Sequence, residues 1–67
     1  MFSIIFTKET NNEFFEFDTR DEASMKFEEM KKQVDKCTEE GIYASVIMTV
    51  TTLYAEEEIY YDNYDIV

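Results

Sequence analysis

Phe2, Ile4 and Phe6 alternate with Ser3, Ile5 and Thr7 at the head of the chain, the two-residue period of a strand with one face turned to a core. Phe2–Thr7 is therefore read as a first strand. Asn11 and Asn12 follow, residues that tolerate positive φ and suit a tight hairpin turn, and Phe14–Asp18 is the second strand. With Asn11 and Asn12 at the turn centre, Phe6 lies opposite Phe17 and Lys8 opposite Phe15. Phe2, Ile4, Phe6, Phe15 and Phe17 then share one face, and Ile5, Phe14, Glu16 and Asp18 fall on the other.

The period changes after Thr19. Ala23, Phe27, Met30, Val34 and Cys37 recur at steps of four and three, which places one apolar stripe along an α-helix. Thr19-Arg20-Asp21-Glu22 has the form of a capping box, and Gly41 supplies the residue type that most easily turns left-handed at a helix C-terminus. These signals predict a helix over about residues 20–40. On its outward side Glu22 with Lys26, and Glu28 with Lys32, have the favourable acid-first spacing of four.

Ile42–Tyr54 is rich in Ile, Val, Thr and Tyr and carries no charge, so it is read as a third strand, overlong at thirteen residues. Ala55-Glu56-Glu57 turns the chain into a fourth strand, Glu58–Asp62, with Asn63–Val67 as a short tail or its continuation. The expected fold is α+β. Residues 1–67 form a single β-β-α-β-β domain, a four-stranded and mainly antiparallel sheet in the order 2-1-3-4. One amphipathic helix covers one face, and the order 2-1-3-4 follows because the helix then makes a right-handed crossover from strand two to strand three past strand one. The other face keeps Ile5, Phe14, Tyr43, Ile47 and Leu53 exposed, more apolar surface than a small monomer shows. That face, or the overlong third strand, is expected to join a second copy as a homodimer or to join another partner.

Composition sharpens this picture. A 67-residue chain buries only about 60% of its unfolded surface, and a single cysteine and no histidine exclude a disulfide staple or a zinc site. Six Phe and five Tyr take their place as core material. Sixteen acids against six bases give a net charge of -10, and five of the six bases lie within the helix. Such a surface repels nucleic acid and anionic lipid and attracts basic protein surfaces. Direct nucleic-acid binding and membrane association are not expected. The free cysteine and the absence of an export signal point to the cytoplasm.

Candidate chemistry is sparse. No histidine is present to act as a base near neutral pH, and Cys37 sits on the apolar stripe with nothing to activate it. No glycine-rich phosphate loop or nucleophile elbow occurs. The chain is expected not to be an enzyme, with no catalytic, cofactor-binding or metal-ligating residues; Asp62, Asn63 and Asp65 offer oxygen ligands but lack the spacing of a calcium loop. The acids carry the sharper suggestion. Alternate strand residues project to one side about 6.6 Å apart, of the order of the phosphate spacing along a nucleic-acid strand. Glu16 with Asp18, and Glu56 with Glu58, have that spacing. Glu16, Asp18, Glu56, Glu57, Glu58, Tyr60, Asp62 and Asp65 are accordingly the candidate partner-binding residues.

In size, charge and lack of catalytic residues the chain resembles, as a class, the small acidic α/β proteins by which phages and mobile elements block host nucleases, glycosylases or defence complexes. That resemblance implies an inhibitor or regulator that mimics nucleic acid on a basic protein surface. The alternative is a homodimeric adaptor or structural interaction module without mimicry, using its tyrosines at an interface.

Overall fold

The computed structural model describes residues 1–64. Its elements are β1 (Phe2–Lys8), β2 (Asn11–Phe17), α1 (Arg20–Glu40), β3 (Ala44–Thr51) and β4 (Glu56–Asp62). All four strands are antiparallel to their neighbours, in the order β2-β1-β3-β4, and α1 lies on one face. This is the expected β-β-α-β-β arrangement.

Helix α1 forms where local chemistry dictates. The Thr19 hydroxyl accepts from the Glu22 N–H at 3.3 Å and donates to the Glu22 carboxylate at 2.9 Å, so the glutamate caps the hydroxyl instead of the threonine N–H. At the other end Gly41 adopts φ 75°, and the Ile42 N–H closes back on the Cys37 carbonyl at 2.8 Å. Ala23, Phe27, Met30, Val34 and Cys37 are the buried stripe, packed on Ile4, Phe6, Ala44, Val46 and Met48 from the two central strands. The surface ion pairs differ from the expected ones: Lys26 meets Glu29 and Lys31 meets Glu28, each three residues apart. Glu22 is already engaged by Thr19, and Lys26 also lies over the Phe15 ring at 4.4 Å.

Two turns correct the sequence reading. The first hairpin turns at Glu9-Thr10, so Phe6 pairs with Glu13, Ile4 with Phe15 and Phe2 with Phe17. Glu9 itself takes the positive φ, 55°, and its N–H bonds the Tyr43 carbonyl at 3.0 Å. That bond carries the β1–β3 ladder one pair further and pulls the turn forward, leaving Asn11 and Asn12 as strand residues. The register shift is an even number, so the same side chains stay on the same face. The second correction shortens β3. Ile42 belongs to the helix cap, and Thr52 starts a turn in which its hydroxyl accepts from the N–H groups of Tyr54 and Ala55. Strand β4 consequently begins at Glu56. Because β1 and β4 flank β3 on both sides, β3 offers no free edge to a partner.

Candidate protein-binding site

Among the described residues nothing covers the face of the sheet opposite α1, and the side chains of this open face follow from the register. Phe14, Ile5, Ile47 and Tyr60 stand side by side across all four strands, one from each. Phe14 and Tyr60 are 58% and 59% exposed at the outer ends, with Ile5 and Ile47 between them. The row is about 14 Å long at about 4.8 Å per strand. On one side of it runs Glu16, Ser3, Thr49 and Glu58; on the other runs Asn12, Thr7, Ser45 and Asp62. Glu56 lies beyond Glu58 on the same edge strand, opposite Thr51.

An apolar centre is thus framed by Glu16, Glu56, Glu58 and Asp62. Among the described residues this face carries no basic side chain. Arg20, Lys26, Lys31, Lys32 and Lys36 belong to α1, and Lys8 alternates with Phe6 onto the helix side. The bases are therefore confined to the helix side, where they are interspersed with the acids of α1, and the charged side chains of the open face are all acids.

Strand β4, which supplies most of the acids, is anchored from behind. The Asn63 side chain, 6% exposed, accepts from the Ala44 N–H at 2.8 Å and donates to the Ile42 carbonyl at 2.7 Å and the Thr38 hydroxyl at 3.2 Å. The Tyr61 hydroxyl donates to Asp35 on α1 at 2.5 Å, and Lys31 lies over the Tyr61 ring at 5.2 Å. The bond to the Asp35 carboxylate favours the neutral phenol and holds the Tyr61 pKa above its ordinary value, with burial adding to the effect. On the open side the Tyr60 hydroxyl donates to Glu58 at 2.9 Å, which raises the Tyr60 pKa in the same way.

The candidate residues divide accordingly. Glu16, Glu56, Glu58, Tyr60 and Asp62 share the open face, while Glu57, between Glu56 and Glu58, faces the helix side opposite Val50. Asp18 lies past the end of β2, so only Glu56 and Glu58 keep the strand spacing about 6.6 Å apart. Asp65 lies outside the described residues. Of the residues named for an exposed apolar face, Ile5, Phe14 and Ile47 are in the central row. Tyr43 precedes β3 and packs against Tyr64 with ring centroids 6.0 Å apart; Leu53 is in the Thr52 turn, 88% exposed and off the sheet.

Sequence reasoning named Asn63 only as an oxygen donor and missed its bracing role, since its partners are 19 to 25 residues away. Its amide is fully engaged with protein groups, and among the described residues no cluster of three or more metal-ligating acids or thiols is assembled. Nor is any helix among them long and apolar enough to cross a membrane. Compared with protein-family models, with curated proteins and with solved structures, the chain matches none.

Proposed function

We propose that this chain is an inhibitory or regulatory protein-binding domain that seats its open sheet face on a basic protein surface, of the kind that receives nucleic acid. The observation that carries the reading is the apolar row Phe14, Ile5, Ile47 and Tyr60 with acids at three of its four corners and, among the described residues, no basic side chain beside it. Apolar contact supplies affinity, and the acids select partners by sign and speed their approach. Glu56 and Glu58, held in register on β4, present two carboxylates where a nucleic-acid strand would present two phosphates. Inhibition then follows from occupation, with no reaction performed by the domain. A single buried free thiol, Cys37, fits a reducing compartment such as the cytoplasm.

The test is capture of proteins from cell lysate on the immobilised domain, with an E56K/E58K variant as control. Captured protein should be released by salt, displaced by double-stranded DNA and lost on the variant. Both substitutions fall on an exposed edge strand, so circular dichroism should stay unchanged. Binding that resists salt and DNA, and persists on the variant, contradicts the mimic and leaves an apolar adaptor.

A further inference from the structure

The same sheet has a second feature: among the described residues no strand pairs with the outer edge of β2. The Glu9 N–H and the Met1 carbonyl both bond β3-side groups, Tyr43 and Thr51. Odd-numbered residues of β1 therefore direct their backbone groups to β3, and even-numbered ones direct theirs to β2. Their partners Asn11, Glu13, Phe15 and Phe17 bond inward, so the N–H and C=O of Asn12, Phe14 and Glu16 point away from the sheet.

We infer that β2 pairs with β2 of a second copy across a two-fold axis at Phe14, giving a continuous eight-stranded sheet. An axis perpendicular to the sheet keeps each side chain on its own face, which requires one residue to stand opposite itself. Centring on Phe14 is the choice that uses the whole seven-residue strand, from Asn11 opposite Phe17 to Phe17 opposite Asn11. It also places no acid against an acid. Glu13 falls opposite Phe15 of the second copy, and Glu16 falls opposite Asn12. Centring on Glu13 opposes Glu13 to itself, and centring on Phe15 leaves the Asn11 end unpaired.

The outward groups of Asn12, Phe14 and Glu16 supply about six hydrogen bonds between the chains. The row Phe14, Ile5, Ile47 and Tyr60 then runs through Phe14 of the second copy and doubles in length. On the helix side Lys26, already 4.4 Å from the Phe15 ring, gains Glu13 of the second copy as a neighbour. Helix α1 packs chiefly on β1 and β3, so the two helices stand about 19 Å apart, beyond the 8–10 Å of packed helices, and do not collide. The other edge cannot do the same. Full-length self-pairing of β4 opposes Glu56 to Asp62 at both ends and brings together four acids from each copy.

Two measurements on the whole chain test this. Sedimentation should give twice the 8.0 kDa chain mass for the native protein. The N12E variant, which sets a new carboxylate against Glu16 at both ends of the pairing, should weaken the dimer about tenfold, and N12E/E16K should restore it. Second, Phe14→Cys should form an interchain disulfide on mild oxidation, because facing hydrogen-bonded residues have Cα atoms about 5.5 Å apart, within disulfide reach. Asn12→Cys, opposed to Glu16, should not. A native monomer at millimolar concentration, or a dimer in which Phe14→Cys fails to cross-link, overturns the inference. No partner is present in either assay, so the dimer and the basic-surface reading are tested separately.

Discussion

Removing the Asn63 side chain tests how the acidic edge is held. Asn63→Ala deletes three hydrogen bonds, at 2.8, 2.7 and 3.2 Å, and leaves the N–H of fully buried Ala44 without its side-chain acceptor. An orphaned buried donor costs about 1–3 kcal/mol, and each lost neutral bond about 1 kcal/mol net; water reaching Ile42 and Thr38 offsets part of this. The expected loss is about 3 kcal/mol. At about 0.05–0.15 kcal/mol per residue, a chain this size has only about 3–10 kcal/mol in total. The variant should therefore melt about 12–24 °C lower, at about 4–8 °C per kcal/mol for a small domain. Asn63→Asp keeps the acceptor but sets a carboxylate against the Ile42 carbonyl, so it should be no more stable than Asn63→Ala at neutral pH. Thermal denaturation followed by circular dichroism measures all three proteins. A loss under about 0.5 kcal/mol for Asn63→Ala, the size of an ordinary surface change, would refute the clamp.

The remaining predictions concern the helix ends and the tyrosines. Gly41→Ala should cost about 1 kcal/mol in urea denaturation from backbone strain alone, since a Cβ there meets nothing within 4 Å. Asn at Gly41 should recover part of that cost. Thr19→Ala should cost about 1 kcal/mol through the lost N-cap acceptor, in the same assay. Tyr60 and Tyr61 should ionise above the ordinary value of 10.0 in an alkaline absorbance titration, and Y60F and Y61F should each remove one late step. The stabilisation from the neutral Tyr61 phenol is fully present below pH 10.0 and is lost as pH rises through its raised folded value. The stability gap between native protein and Y61F should accordingly close in strong alkali; a gap that widens would reverse the assigned cause.

The helix was legible in the chain because its determinants are local. A cap at Thr19, a stripe of five apolar residues and a glycine at Gly41 each act within a few positions. The faces of the strands were legible for the same reason, since alternation survives an even shift in register. The turns were not. Glu9 takes its left-handed conformation in a turn tied to Tyr43, across the sheet, and no local propensity of a glutamate announces that contact. Thr52 was readable in principle, as a hydroxyl able to start a turn, but the β-branched run around it resembles strand from end to end. The acids were visible as charge, yet their sorting depended on strand bounds: an early start to β4 puts Glu56 and Glu58 on the open face and Glu57 behind it. Asn63 required knowledge of which distant parts of the chain meet.

The central claim is that this open face, and not the total charge of the chain, meets a basic partner. Amide chemical shifts measured while an amphipathic peptide of Lys and Leu is added test it residue by residue. The predicted result is perturbation of Glu16, Ile47, Glu58 and Tyr60, weakened by salt, with the α1 acids Glu28, Glu29 and Glu39 unmoved. Equal perturbation of both sides of the sheet would contradict it.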